Sequence, residues 1–252
     1  MAERYAYKIE LDTYCCDGNQ IVKPSGALQV LQEAGRRQME AQKPSYEEIL
    51  EAGKALMLSR IDMKIYDEAY VGEKVEVSSW PCDSSRATFL RMYQMKRGEE
   101  IIAEISSQWV LVESATRKIL KVDDVDFSNY YHGPYKDLIP EKFRIPKTLQ
   151  LEEAGRFHVT YSYLDSNKHM NNTYYANMLC DHVPELTTGE YRVSSMRIHY
   201  SKEAPMGEVL TILRASSEKG KYLFKTIKSN GELNIEAEVT VVPVSYTHLR
   251  AH

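Results

Sequence analysis

Three side chains suited to acid–base chemistry or hydrogen bonding occur at every second position: Asp165, Asn167 and His169. Neutral histidine is the side chain best matched to proton transfer near pH 7. A carboxylate can orient the imidazole or stabilise its charge, and an amide can donate a hydrogen bond to a carbonyl oxygen or position a water. These residue types are therefore suited to proton transfer beside a polarised carbonyl group.

These residues lie just before a predicted helix. Apolar side chains at helical spacing begin at Tyr174 and Tyr175. Asn171 or Asn172 is a suitable N-cap, because its short amide oxygen can accept orphan backbone N–H groups. A helix N-terminus favours negative charge, so an oxyanion that develops during a reaction would be stabilised there.

Glu203 lies on a later element and can act as a general base for a water. A purely structural interpretation is also open, in which Asp165 and Asn167 form an Asx-type turn and His169 has no chemical role. The three-residue pattern by itself favours this structural interpretation.

The predicted elements fall into two halves. In the first, a strand at 5–14 precedes a helix capped by Ser25, and strand-like sequence runs from Ala55 to Glu113 with a hairpin turn at 96–99. In the second, a hairpin turn is predicted at Asn230-Gly231. Its strands are predicted at 156–163, 192–200, 207–216 and 233–243.

The segment 121–155 separates the halves and differs from both. It is rich in aspartate and interrupted by prolines, which break helices and sheet ladders. We interpret it as a linker between an N-terminal domain, 1–120, and a C-terminal domain, 156–243. The alternative is a long surface loop of a single domain.

The two halves also share a motif. Asp17-x-Asn19-x-Ile21 matches the Asp165 motif, and Glu68-Ala69 matches Glu203-Ala204, in the same order. The matches indicate an internal duplication. Since Ile21 replaces the histidine, we expect only the second half to keep the chemistry, while the first keeps the architecture and can hold the rest of a substrate.

Composition excludes several classes of protein. A net charge of −4 argues against a nucleic-acid partner, and no apolar run reaches the length needed to cross a membrane. The first residues lack the apolar core of a secretory signal, and four cysteines without metal-binding spacing suit a reducing cytoplasm. Cys180 and His182 are unsuitable as joint metal ligands, since close neighbours on a helix point in different directions. We predict no metal and no cofactor.

The complete motif, Asp165-x-Asn167-x-His169-x-Asn171-Asn172-x-x-Tyr175 with Glu203 downstream, resembles the acyl-acyl carrier protein thioesterases of plastids and bacteria. The resemblance extends over roughly 5–243. It implies an α+β fold, a tandem double hotdog in which each half is a curved antiparallel sheet wrapped around a central helix.

The resemblance also implies function. Asp165, Asn167, His169 and Glu203 would form the catalytic set that hydrolyses acyl-acyl carrier protein to a free fatty acid. The acyl chain would run into the N-terminal hotdog, along an apolar helix face. Substrate-binding positions are then expected at Ala27, Val30, Leu31, Ala34, Asn171 and Asn172.

The partner implied is an acyl carrier protein bearing an acyl-phosphopantetheine; nucleic acid and membrane are not expected, and a homodimer is left open. Six basic residues are candidates for contacting the acidic carrier, with ordinary solvated surface as the alternative. They are Arg36, Arg37, Arg86, Arg91, Lys96 and Arg97.

One position departs from the plant members, which usually have cysteine after the glutamate. Here that residue is Ala204, and a methyl group cannot attack a thioester. Direct attack by water on the thioester is therefore preferred. Glu203 and His169 would remove the proton from the water, and Asn167 with helix N-terminal amides would polarise the carbonyl. Asp165 would hold these groups in place.

Two other functions remain open: an acyl-coenzyme A thioesterase, and a non-catalytic hotdog protein that binds acyl chains. The final residues, 244–252, lack periodicity and resemble the translation of a sequencing adapter. We interpret them as a non-native tail.

Overall fold

The computed structural model describes residues 3–85 and 87–244, except for the side chain of Ser85. The chain divides into two compact units, Met1–Lys142 and Phe143–His252. The boundary between these units falls inside the segment 121–155. The assignment of that whole segment to a linker stays a prediction.

The described part of the first unit forms one antiparallel sheet with two helices. Strand order is β1-β3-β4-β5-β2, and the predicted hairpin between β4 and β5 is confirmed, with Gly98 at φ 56°. The elements are β1 (Tyr5–Glu10), α1 (Pro24–Gln42), α2 (Tyr46–Glu51), β2 (Lys54–Ile65), β3 (Lys74–Ser85), β4 (Thr88–Arg97) and β5 (Glu100–Glu113).

The second unit has the same topology in its described residues. Strand order is β6-β8-β9-β10-β7, again antiparallel throughout. The hairpin at Asn230-Gly231 is confirmed, with Gly231 at φ 84°. The elements are β6 (Glu152–His158), α3 (Asn172–Cys180), β7 (Tyr191–Tyr200), β8 (Val209–Glu218), β9 (Lys221–Ile227) and β10 (Leu233–Pro243).

Helix α1 begins two residues earlier than the Ser25 cap predicts. Pro24 occupies the first helical position and Lys23 is the N-cap, because the fixed φ of proline and its missing N–H suit that position. Ser25 is 1% exposed and lies inside the helix. The cap prediction was therefore wrong, although the helix itself is confirmed.

The strand predicted at 156–163 is displaced toward the N-terminus. Strand β6 pairs with β8 from Glu152 to His158, and the chain then leaves the sheet. A short 3-10 turn at Tyr161–Tyr163 follows, and it directs the chain into the loop that carries the polar motif.

The chain after β5 packs on the first sheet. Phe127 and Tyr130 are buried with Phe89, and Leu138 is buried with Trp80, whose indole N–H donates to the Pro134 carbonyl at 3.1 Å. The first part of the segment therefore belongs to the core of the first unit.

At the other end of the chain, Val244 donates its N–H to the Glu190 carbonyl at 2.8 Å. The rest of the predicted tail, 245–252, lies outside the described residues. In the described ranges, no helix combines the length and the apolar character needed to cross a membrane.

Candidate active site

The polar motif forms a closed loop between β6 and α3. Asp165 Oδ1 accepts hydrogen bonds from the backbone N–H groups of Asn167 at 2.8 Å and His169 at 3.4 Å. Lys168 has φ 63°, and its N–H donates to the Asp165 carbonyl at 3.0 Å. The Asx-type turn of the structural interpretation is therefore present, and it presents His169 at the end of the loop.

Backbone pairing brings this loop to the segment after β7. Met170 donates its N–H to the Ala204 carbonyl at 2.8 Å, and His169 forms an antiparallel bridge with Pro205. As a result, His169 Nε2 lies 3.5 Å from Glu203 Oε2. Two residues that are distant in sequence thus form one potential acid–base pair.

The His169–Glu203 pair is reachable by solvent, since the side chains are 24% and 34% exposed. Their separation exceeds that of a tight hydrogen bond, as is common for catalytic pairs without substrate. Among the described residues, no group hydrogen-bonds to the buried His169 Nδ1. The imidazole is therefore held by its backbone and by contact with the carboxylate.

The other predicted groups lie on the same loop and at the start of α3. Asn167 is exposed, so its side-chain amide is accessible to a ligand oxygen. Asn171 is confirmed as the N-cap of α3, because its Oδ1 accepts from the Thr173 N–H at 2.9 Å. The Tyr174 N–H donates to the Asn171 carbonyl at 3.0 Å. The N–H of Asn172, at the first helical position, is one of the donors that a helix start leaves without an intrahelical partner.

A buried polar network lies behind Glu203. Asn234 Nδ2 donates to the Tyr175 hydroxyl at 3.1 Å and to the Lys202 carbonyl, and Asn234 Oδ1 accepts from the Thr226 hydroxyl at 2.7 Å. Burial raises the pKa of Tyr175 to about 12, and the nearby Glu203 and Asp165 carboxylates add to the effect. Asn234 was not among the residues predicted from the sequence. Its buried counterpart in the first unit is Ile102, and a comparison of the repeats can detect this difference between a polar and an apolar residue.

The first unit contains the same loop without the histidine. Asp17 Oδ1 accepts from the N–H groups of Asn19 at 2.9 Å and Ile21 at 3.1 Å, and Ile21 bridges to Tyr70. Glu68, the counterpart of Glu203, is 1% exposed. The loop geometry is therefore independent of the imidazole, and the acid–base pair is specific to the second unit.

The predicted substrate-binding positions on α1 are apolar and buried. They share one face of the helix, which packs against β3 and β4, and they are Ala27, Val30, Leu31 and Ala34. The structure places them in the core of the first unit; their contact with an acyl chain stays a prediction.

The basic candidates for contacting a carrier protein differ in accessibility. Arg91 is 3% exposed and hydrogen-bonds to Gln38 and Ser79, so it cannot contribute to a docking surface. Arg86 lies outside the described residues. Arg36, Arg37 and Arg97 pair with acidic neighbours, which reduces the charge they offer.

All four cysteines are free thiols. Burial raises the pKa of Cys180 and of Cys82 to about 12, and that of Cys16 to about 11; the pKa of Cys15 is raised as well. Protonated thiols are poor nucleophiles.

In the described part of the chain, no cluster of three or more His, Cys, Asp or Glu residues has the arrangement of a metal site.

Two family models match this chain. The acyl-ACP thioesterase N-terminal domain matches residues 2–131, and the acyl-ACP thioesterase C-terminal domain matches residues 147–241. A sequence relative is oleoyl-acyl carrier protein thioesterase 2, chloroplastic, of Arabidopsis thaliana, 22% identical over 185 residues, which are 69% of this chain and 50% of the relative. The chain thus spans about half the length of the plant relatives it matches.

Solved structures share the fold over almost the entire chain. An acyl-ACP thioesterase from Bacteroides thetaiotaomicron matches with a TM-score of 0.84 at 18% identity, over 94% of this chain and 97% of its own. The 12:0-ACP thioesterase from Umbellularia californica matches with a TM-score of 0.84 at 17% identity, over 95% of this chain and 97% of its own. The tandem double hotdog expected from the sequence is confirmed.

Proposed function

Because this chain belongs to the acyl-ACP thioesterase family, we propose that it hydrolyses the thioester of acyl-acyl carrier protein and releases a free fatty acid. The observation that carries the proposal is the His169–Glu203 pair, with Nε2 and Oε2 at 3.5 Å. The first unit has the same loop but isoleucine at the equivalent position. A protein that only binds acyl chains has no need for an acid–base pair in one half.

The proposed reaction begins with a water beside His169 and Glu203. The pair takes a proton from this water as its oxygen attacks the thioester carbon, and the carbonyl oxygen becomes an oxyanion. Hydrogen bonds from the Asn167 amide and the Asn172 N–H stabilise that oxyanion; this assignment is supported by the exposure of Asn167 and by the place of Asn172 at the start of α3. The C–S bond then breaks, and the proton passes to the leaving sulfur, giving a carboxylic acid and the phosphopantetheine thiol.

Asp165 has a different role in this scheme. Its Oδ1 holds the N–H groups of Asn167 and His169, so it fixes the loop on which two reacting groups lie. The water mechanism is supported by Ala204, which is 0% exposed and has no reactive group, and by the high pKa values of the thiols.

We assign the acyl chain to the first unit, along Ala27, Val30, Leu31 and Ala34. This assignment is supported by the apolar character of these residues and by Ile21, which stands in the first unit at the position equivalent to His169. Asn171 and Asn172 would contact the substrate near the thioester. The free thiols favour a reducing compartment, which supports assigning the reaction to the cytoplasm.

The decisive experiment measures free-thiol release from acyl-acyl carrier protein and acyl-coenzyme A side by side. We expect release from the carrier-protein substrate, and loss of that release in Glu203→Gln and His169→Ala. Faster turnover of acyl-coenzyme A would redirect the assignment to an acyl-coenzyme A thioesterase. Stoichiometric binding of acyl chains without any thiol release would favour the binding protein.

A further inference from the structure

We propose that Asn234 is a positioning residue that holds Glu203 in register with His169. The inference rests on the proposed function, because it gives Asn234 a task in the same reaction. The side chain of Asn234 is 0% exposed, so it acts through the groups that it hydrogen-bonds.

The hydrogen bonds of Asn234 use its whole amide. One Nδ2 hydrogen goes to the Lys202 carbonyl and the other to the Tyr175 hydroxyl, and Oδ1 accepts from Thr226. The backbone carbonyl of Asn234 also accepts from the N–H groups of Ser201 at 2.9 Å and Lys202 at 3.2 Å. Lys202, the residue that directly precedes Glu203, is therefore held at its N–H by the main chain of Asn234 and at its carbonyl by the side chain of Asn234.

The second Nδ2 bond extends this support to the histidine. Tyr175 belongs to α3, the helix that starts where the loop of His169 ends. The ring of Tyr175 also packs edge-on against Tyr200 at the end of β7, with centroids 5.5 Å apart. A single amide thus connects the helix that follows His169 with the segment that carries Glu203.

A β-bulge directs the Asn234 side chain inward. Leu233 pairs with Ile227 and Ile235 pairs with Thr226, so Asn234 is the extra residue between two successive pairs. Bulges next to active sites commonly re-aim a side chain. The first unit has the equivalent bulge, since Ile101 pairs with Lys96 and Ala103 with Met95, and its extra residue is Ile102.

The first unit shows which contacts of Asn234 the fold itself requires and which serve to position Glu203. The carbonyl of Ile102 accepts from the N–H groups of Tyr66 and Asp67, as the carbonyl of Asn234 accepts from Ser201 and Lys202. The side-chain network, however, is replaced by apolar groups. Ala27, Met95 and Ile102, all buried, occupy the positions of Tyr175, Thr226 and Asn234.

The hotdog unit therefore folds around this bulge without an amide. At this bulge, the described residues include a buried, hydrogen-bonded amide only in the unit that contains His169, and such an amide gives no more stability than well-packed apolar groups. We conclude that the network is retained for the geometry of the reacting pair.

The test uses two variants of the full chain. Asn234→Leu reproduces the apolar state of the first unit, and Tyr175→Phe removes one hydroxyl while keeping the ring. A displacement of a reacting group by about 1 Å can cost on the order of 100-fold in rate. We expect kcat for acyl-acyl carrier protein to fall about 30-fold in Asn234→Leu and about fivefold in Tyr175→Phe, with KM changed less than about twofold.

Crystal structures of both variants provide a readout that needs no substrate. The expected result is that the distance between His169 Nε2 and the Glu203 carboxylate increases beyond its present 3.5 Å. The matched control is Ile102→Val, which removes a methylene from the equivalent bulge of the other unit and should leave kcat within about twofold.

Wild-type kcat and an unmoved Glu203 in Asn234→Leu would overturn the proposal. If that variant does not fold, the same two results in Tyr175→Phe would overturn it. A wild-type protein without thiol release, combined with a displaced Glu203 in the variant crystals, would instead reject the proposed function and leave the positioning role standing.

Discussion

Gln20 and Lys168 adopt the same left-handed backbone conformation, with φ of 64° and 63°, at equivalent positions of two loops of which only one carries a histidine. Both loops are closed by an aspartate side chain and by backbone hydrogen bonds. The conformation that presents His169 therefore does not depend on His169 itself, and this relation determines how the site can be tested.

Replacement of the histidine should remove activity and preserve the fold. We expect His169→Ala to lower kcat by about 100-fold or more, the usual contribution of a general acid–base group, with a melting temperature within a few degrees of wild type. Rates of thiol release and thermal unfolding of the same preparation provide the measurement. Wild-type rates in folded His169→Ala would refute the assignment.

Replacement of the two loop aspartates should distinguish an effect on stability from an effect on turnover. Asp165→Ala and Asp17→Ala each leave two backbone N–H groups without their partner, so each should cost about 1 kcal/mol in the free energy of unfolding. Only Asp165→Ala should lower kcat, because only its loop carries the reacting imidazole. Urea unfolding and kcat of both variants test this, and an equal loss of kcat in Asp17→Ala would contradict it.

No acyl group should be found on a cysteine during turnover. The pKa of the Cys180 thiol is raised to about 12 by burial. The residue directly after Glu203 is Ala204, which has no thiol. Rapid quenching followed by mass spectrometry should show an unmodified protein. Ala204→Cys should react no faster and should also stay free of a covalent acyl group, whereas an acyl-cysteine in the wild type would exclude the water mechanism.

Bulky residues on α1 should shorten the preferred acyl chain. Burial contributes roughly 0.8 kcal/mol per methylene, so closing the site by about two methylenes should shift selectivity roughly tenfold. Ala27→Phe and Ala34→Phe are the strongest changes, and since both positions are buried, folding must be checked for each variant. The measurement is kcat/KM over a series of saturated acyl-carrier proteins.

Met178→Phe is the matched replacement on the other helix, at a position that is 1% exposed. We expect it to leave the chain-length profile unchanged, and Glu203→Gln should depress the rates for all chain lengths alike. A profile that moves with Met178→Phe and stays constant with both α1 variants would place the acyl chain in the second unit.

Acid should weaken the second unit through Glu208. Hydrogen bonds from the Ser229 hydroxyl and N–H lower the pKa of this carboxylate. A folded-state pKa below the unfolded value means that the stabilisation is complete above the unfolded value, about 4.3, and disappears as pH falls through the folded value. Glu208→Gln should therefore be less stable than wild type at about pH 6, and the difference should shrink at about pH 3.5.

Urea unfolding at the two pH values measures this effect. Glu232→Gln is the control, because that carboxylate also has a lowered pKa but its side chain is 45% exposed, against 8% for Glu208. Its effect on stability should be small at both pH values. A Glu208→Gln difference that stays constant or grows on acidification would exclude the linkage.

Local features of this fold could be predicted from sequence because their causes are local. The Asn171 cap acts on Thr173, two residues away, and both hairpins are encoded at their own turns. The start of α1 was misplaced at Ser25 because Pro24 competes for the same turn. The order of polar and apolar residues within a few positions contains most of the information for such elements.

The burial of a side chain that depends on strand pairing could not be predicted from such local patterns. Arg91 looks like surface charge in the sequence, yet it lies under α1 with Gln38 and Ser79 as partners. The role proposed for Asn234 depends on its contacts with Tyr175 and Lys202. These residues are distant in sequence, so no local pattern predicts the contacts. The pairing of His169 with Glu203 was accessible only through the family resemblance, which supplied the missing long-range information.

The first unit has Ile21 where the equivalent loop of the second unit has His169, and this difference affects how such a protein can evolve. In a symmetric dimer of single hotdogs, each substitution appears in both subunits, so one site cannot be discarded while the other is kept. Covalent fusion removes that restriction. One unit can then have apolar packing at the position of the histidine while the other keeps its acid–base pair.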